Sequence, residues 1–317
     1  MIRLLESGEA VRAMIRSNSN RDVVRSVFSF YGVSHLYDRI EWVEADVLDI
    51  PTLFNAMQGV EKVYHTAAVV SYHRDDRKEM YAINVEGTAN VVNVALECGV
   101  KKFGHVSSIA ALNRFKTNPV TEEGEWVDSD ENTHYGITKH LSEMEVWRGS
   151  QEGLDVIIIN PGFIIGPGDF SRSSSSVFSK LDEGFSYYPP GGTGFVGAID
   201  AANSLVKLMQ SSIVNEGYIV VGENGSMKDL FQQISKGIGK SIPTKEARPW
   251  MLQVARIAEW LKEKFTGKKA LVTRETVKNA SLRFYYSSEK LVSAIDFKFT
   301  PIEKCIEDAS RFYKSVR

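Results

Sequence analysis

This sequence predicts an α/β fold built on a parallel sheet covered on both faces. Two observations carry that expectation. Short apolar runs alternate with longer helix-like stretches through roughly the first half of the chain, and such alternation favours parallel strands joined by crossover helices. The chain also has 317 residues, of which 43% are hydrophobic and 25% charged, enough for a large buried core.

In order, residues 1–10 read as the tail of a helix stopped near Gly8, and Val11 to Ile15 as a strand. Residues 18–38 are polar and mixed, a loop and a helix. Ile40 to Ala45 form the next strand, closing on Asp46, and Asp49 to Gln58 a short helix that Asp49 caps ahead of Pro51. Lys62 to Ala68 read as a strand, Glu79 to Cys98 as a long helix ended by Gly99, and Phe103 to Ser107 and Val156 to Ile159 as two further strands. Beyond residue 165 the pattern loosens. Ser171 to Ser176 are a polar loop, Pro189 to Gly192 a turn, Tyr218 to Val221 a strand and Met227 to Lys236 a helix. Trp250 to Phe265 make an amphipathic helix whose apolar stripe is expected to face the core, and residues 301–317 a last helix.

Net charge is −2, with no dense Lys/Arg run, so neither nucleic acid nor a membrane is an expected partner. Two cysteines, Cys98 and Cys305, are too few for a disulfide framework, and no run of 18 apolar residues occurs. The expectation is a cytoplasmic protein with a small-molecule substrate, no metal site, and a possible homodimer.

The chemistry concentrates in His134-Tyr135-Gly136-Ile137-Thr138-Lys139-His140. Asn132 or Thr133 can cap a helix there, and Tyr135 and Lys139, four apart, then share one face. An ammonium near a phenol lowers the phenol's pKa, and such a tyrosine can exchange a proton with a carbonyl or alcohol oxygen. Ser107-Ser108 ends an apolar run upstream, and Asn160-Pro161-Gly162 follows downstream.

Together these motifs resemble the extended short-chain dehydrogenase/reductase family, over nearly the whole chain except its start. The resemblance implies a Rossmann-like doubly wound parallel sheet with a smaller irregular C-terminal substrate subdomain. Residues 1–168, with 195–212 returning to them, would bind the dinucleotide; residues 169–194 and 213–317 would cover the substrate. It implies Ser108, Tyr135 and Lys139 as the catalytic set. It also implies Arg16, Asp46, Val47, Thr66, Ala67, Ala68, Pro161, Gly162 and Phe163 as cofactor contacts beside Tyr135 and Lys139. Tyr187, Tyr188 and Phe195, with Ser108, are candidates for lining the substrate. Arg16 directly follows the Val11–Ile15 strand, where an arginine suits the extra phosphate of NADP(H), so NADP(H) is expected over NAD(H). His65 reads equally as a core histidine or as part of the strand end under the cofactor. Asn84 is expected to be structural.

Such a fold opens with a strand, a glycine-rich turn and a helix, where the pyrophosphate meets bare backbone. Arg3 to Gly8 look instead like the end of that first helix, as if the chain began about twenty residues late. The expectation is a sheet lacking its first strand and glycine-rich turn, poor dinucleotide binding, and an enzyme whose activity such a truncation puts at risk.

Ser108 is followed by Ile109-Ala110-Ala111-Leu112, Asn160 precedes Pro161, and Glu122-Glu123-Gly124-Glu125-Trp126 lies ahead of the tyrosine. These details resemble the dihydroflavonol-reductase-like branch and imply hydride transfer to a ketone or aldehyde. The alternatives are an NAD-dependent sugar-nucleotide epimerase/dehydratase and a non-catalytic module that has lost its cofactor.

Overall fold

The computed structural model describes residues 1–317 except 18, 116, 172, 268 and 271. Its strands are β1 (Val11–Ile15), β2 (Ile40–Glu44), β3 (Lys62–His65), β4 (Lys102–Val106), β5 (Asp155–Pro161), β6 (Phe163–Ile165), β7 (Tyr187–Tyr188), β8 (Gly192–Gly197), β9 (Glu216–Val220), β10 (Glu223–Ser226) and β11 (Lys245–Glu246). The central sheet runs β3-β4-β5-β9, all parallel. β5 is buried on both faces, and its side chains divide by the two-residue period of a strand. Val156 and Ile158 pack with Val91, Ala95 and Val146 from helices Gly87–Glu97 and His134–Gln151. Ile157 and Ile159 pack the other way, with Leu205, Leu208 and Met209 of helix Ala198–Gln210. Each such side chain contributes about 1.5–3 kcal/mol. Gly104 of β4 lets this last helix sit close, since a Cβ there would stand 2.9 Å from the Met209 sulfur. The sheet is thus parallel, doubly wound and Rossmann-like.

The expected loss of the first strand is corrected. After a short helix, Ile2–Glu6, the strand expected at Val11–Ile15 is present as β1, the first strand, and pairs in parallel with β2 from Val11↔Ile40 to Ile15↔Glu44. This pair has its own apolar core of Leu5, Val11, Phe28, Leu36, Tyr37 and Ile40. The Arg12 guanidinium ties it to the rest by donating to the carbonyls of Ala56 and Gln58, both at 2.9 Å. Burial of Val11 and Ile40, with the parallel ladder between them, makes the N-terminal strand part of the folded core.

Three further departures have physical reasons. The third strand stops at His65 rather than Ala68, leaving Thr66, Ala67 and Ala68 exposed beyond its end. The long helix after it is broken into Arg77–Tyr81, a π turn at Ala82–Glu86, and Gly87–Glu97. At the junction Gly87 meets Val47, whose Cγ2 lies 2.7 Å from where a Cβ would be. Helix Pro249–Thr266 has no buried residue, so its apolar stripe does not face the core.

Candidate active site

Helix His134–Gln151 starts where the sequence places it. Thr133 caps it, accepting from the Gly136 N–H at 3.0 Å. Gly136 is required because a Cβ there would come within 2.5 Å of the Ala110 carbonyl. That close approach sets the first turn of the helix against the loop that leaves β4, and that loop carries Ser108. The Ser108 hydroxyl stands beside the Tyr135 phenol, close enough to favour its ionised form. Ser108 is held on its own side as well: its Oγ accepts from the Ala110 N–H at 3.2 Å, and its carbonyl accepts from Asn160 Nδ2 at 3.1 Å. Tyr72 stands edge-on to Tyr135, ring centres 6.4 Å apart.

Lys139 lies one turn further along and is buried. Its Nζ donates to the Val106 carbonyl at 3.0 Å and lies 3.3 Å from His105 Nε2. The ammonium is thus directed at the end of β4. The expected lowering of the Tyr135 pKa by Lys139 is corrected accordingly. Burial, first of all, raises it, the Ser108 hydroxyl lowers it in part, and Tyr72 raises it. Tyr135 stays a neutral phenol well above pH 7.

A row of buried polar groups behind this pair was not seen in the sequence. Burial pulls Lys139 down to about 8, with Glu143 opposing. Burial pushes Glu143 up to about 7, against Ser107, Asn160 and Lys139, which favour its charged form. Asn160 Nδ2 donates to Glu143 Oε1 at 2.6 Å, so one amide joins this carboxyl to the Ser108 loop. His105 meets Ser142 Oγ at 3.2 Å and stacks on His65, ring centres 5.3 Å apart. Both rings are held neutral, His65 at about 3, by burial first and then by the Lys139 charge. His65 bonds Thr88 Oγ1 at 3.0 Å and is a core histidine. The spacing of Lys139 and Glu143, four apart on a helix, could have signalled this row. So could the pairing of two strands that each carry a histidine near their ends.

Asn84, in the π turn, is structural. It accepts from the Val69 N–H at 2.7 Å and donates to the Val69 carbonyl and Thr138 Oγ1 at 2.9 and 3.0 Å. Asp49 caps its helix through Thr52.

The other candidates divide. Thr66, Ala67 and Ala68 lie exposed at the carboxyl end of β3, next in the sheet to β4, whose end holds the Lys139 ammonium. Small exposed residues beside a buried cation could hold the ribose and nicotinamide end of a dinucleotide. Asp46 accepts from the Leu48 N–H at 2.9 Å, and the Val47 carbonyl accepts from Asn90 Nδ2 at 3.0 Å. Pro161 ends β5, and Gly162 presses against β8, where a Cβ would sit 2.4 Å from the Gly194 carbonyl. Phe163 packs edge-on against Phe195. Tyr188 and Phe195 are not exposed as substrate-lining residues; both are buried in the cluster that holds Phe178 and Phe231. Tyr187, half-buried on β7, has the Lys245 ammonium over its ring. Arg16 is exposed after β1, and residues 16–21 contain no glycine, so phosphates there would meet side chains rather than bare backbone.

Residues 2–185 match the NAD dependent epimerase/dehydratase family. The chain is 30% identical to sterol demethylase protein B of Methylococcus capsulatus, over 92% of this chain and 83% of that one. It is 26% identical to a putative dihydroflavonol 4-reductase of Synechocystis, over 98% of this chain and 90% of that one. Among solved structures, gox2253 superposes with a TM-score of 0.80 at 29% identity, over 99% of this chain and 93% of that one. The UDP-glucuronic acid 4-epimerase of Bacillus cereus, solved with UDP-glucuronic acid and NAD, shares the fold with a TM-score of 0.75 at 15% identity, over 100% of this chain and 95% of that one. The Bordetella bronchiseptica enzyme WbmH likewise shares the fold and was solved with NAD+. The expectation of NADP(H) does not stand: it rested on Arg16 alone, an exposed side chain at a strand end, and the dinucleotide named in these structures is NAD.

Proposed function

The chain belongs to the NAD dependent epimerase/dehydratase family, and from that membership we propose an NAD(H)-linked oxidoreductase of the epimerase/dehydratase type, acting at an alcohol or carbonyl carbon of a small molecule. The single observation behind this reading is the Ser108 hydroxyl beside the Tyr135 phenol, with Lys139 one helical turn on. In this proposal Tyr135 transfers the proton and Ser108 steadies the substrate oxygen. Lys139 holds ribose hydroxyls and keeps a positive charge near the reacting centre. Asp46, Val47, Thr66, Ala67, Ala68 and the Pro161–Phe163 segment would form the cofactor wall, with Arg16 at its outer edge. The nicotinamide, when bound, supplies the hydride acceptor or donor.

In the epimerase or dehydratase reading, Tyr135 would act as the phenolate, taking a proton from a sugar hydroxyl and later returning it, which requires its pKa to fall from the raised value of the unliganded site. The nucleotide-sugar 4-epimerases that share the fold, one of them solved with NAD, support this reading. A specific observation favours a second reading, net reduction of a ketone or aldehyde. Burial keeps Tyr135 protonated, the form that donates to a carbonyl oxygen. The relatives that cover more than nine tenths of the chain also include two named as reductases.

The test has two arms. UDP-sugars are supplied with catalytic NAD+, and ketones and aldehydes with NADH. Epimer interconversion without net change in NADH supports the first reading. Steady NADH oxidation supports the second. Neither activity, in protein shown by calorimetry to bind NAD, sinks both.

A further inference from the structure

Helix Pro249–Thr266 leaves its longest apolar stripe in water. Trp250, Val254, Ile257, Leu261 and Phe265 recur at three- and four-residue intervals, so they form one stripe along it. All five are exposed, Trp250 at 62% and Phe265 at 87%. The residues it half-buries against the protein are Met251, Leu252, Ala255, Arg256, Glu259 and Glu263, and none is fully buried. Glu263 is pinned there by His73, Nε2 to Oε1 at 2.9 Å. A helix that leaves a continuous stripe of Trp, Val, Ile, Leu and Phe in water while its carboxylates turn toward the protein presents a docking surface.

Charge decides what fits it. Both carboxylates of the helix are on the protein side. Its flanks toward solvent carry Lys264 and Lys262, the latter ion-paired with Glu259 at 3.1 Å, and the Lys264 ammonium lies 4.1 Å from the centre of the Trp260 ring, itself exposed. A cavity of about 370 Å³ beside the stripe is lined by Arg74, Arg256, Lys264 and Arg274 against only Asp75 and Glu263 among the acids. Two copies of this face would bring basic rims together, which costs binding. An apolar stripe with a basic rim and an adjoining cationic hollow suits a surface that is apolar below and anionic above.

We propose that helix Pro249–Thr266 docks this protein on an anionic lipid bilayer, lying in the plane of the interface with phosphate headgroups at the Arg74–Arg274 hollow. No helix among the described residues is long and apolar enough to cross a membrane, so the attachment is peripheral. The surface is coupled to the candidate site. The next helix, Arg274–Asn279, carries Glu275, which accepts from Arg77 at 2.8 Å and from the backbone N–H of His134 at 3.1 Å, at the start of the Tyr135 helix. Docking would hold that helix against the mouth of the site.

The test uses the full chain and vesicle co-sedimentation. Binding to phosphatidylcholine/phosphatidylglycerol vesicles is expected to be at least about tenfold tighter than to phosphatidylcholine alone, and to weaken with salt. Ile257→Glu with Leu261→Glu should reduce it by at least about tenfold. Both positions are already exposed, so thermal unfolding should match the wild type, which separates lost docking from lost folding. Equal pelleting of wild type and variant, or no pelleting of wild type with either vesicle, would overturn the proposal. So would light scattering that shows a dimer which the variant dissolves, since the stripe would then be covered by a second copy.

Discussion

The carboxyl ends of β4 and β5 and the carboxyl end of β1 lie in one fold but obey different rules. At β4 and β5 nearly every polar group is buried and tied down. Ser108 is fixed by Asn160, Asn160 by Glu143, and Lys139 by the end of β4. At β1 the chain runs into exposed polar residues, where the Arg16 N–H bonds Ser19 Oγ within the same turn at 3.0 Å. A buried network cannot lose a member cheaply, because the partner left behind stays dry and unpaired. A solvated turn replaces lost contacts with water. The first end can therefore place a proton donor accurately, while the second can only add affinity.

The contrast is broken most sharply if Tyr135→Phe keeps its turnover. Loss of the phenolic proton should slow the reaction by about 10²–10⁴-fold, measured on whichever substrate the two-arm assay yields. The melting temperature should change little, because the ring remains to pack against Tyr72.

In stability the largest effect should come from Glu143→Ala. It leaves the Asn160 amide without its 2.6 Å acceptor and Lys139 without its nearby anion. The cost should be about 3–5 kcal/mol in urea unfolding. Glu44→Ala, an exposed carboxylate ending β2, should stay within about 0.5 kcal/mol. Similar losses at the two positions would erase the distinction.

Much of the first end was legible in the sequence because its markers are local. Tyr135 and Lys139 are one turn apart, Thr133 is a capping residue, and the strands around Ser108 are plain apolar runs. The direction of the Lys139 ammonium was not legible. It depends on His105 and Val106, which come from a strand far away in the chain. β8 was missed for a different reason. Pro189 to Gly192 read as a turn with no strand after it, yet Gly194 and Gly197 of β8 serve close packing: a Cβ at Gly194 would meet Val221 at 2.7 Å, and one at Gly197 would meet the Cys305 sulfur at 2.6 Å. Helix Pro249–Thr266 reads as amphipathic in sequence, but periodicity does not say which side faces the core.

The pH dependence of stability offers a finer separation, because two neighbours in the buried row pull in opposite directions. His65 is depressed to about 3, so the stability it gives is present above its ordinary pKa and is lost as pH falls towards the folded value. Glu143 is raised to about 7, so its contribution is complete below its ordinary pKa and is lost as pH rises through the folded value. Between roughly pH 5 and pH 7 the two slopes oppose each other. Glu143→Gln removes one of them. Its unfolding free energy should rise with pH more steeply than that of the wild type across this window, by up to about 3 kcal/mol. An unchanged slope would mean that Glu143 titrates as an ordinary surface acid.

The smallest effect should be at Arg16. If the turn after β1 only edges the cofactor, Arg16→Ala should change NAD+ affinity by no more than about twofold in calorimetry, with stability within about 0.5 kcal/mol. A loss of tenfold or more would place a strong phosphate contact at this turn despite its exposure. The exposed end would then share in fixing the cofactor, and the contrast with β4 and β5 would narrow to proton placement alone. A gain in affinity would be equally informative, because it would show that the guanidinium crowds the ribose that NAD presents there.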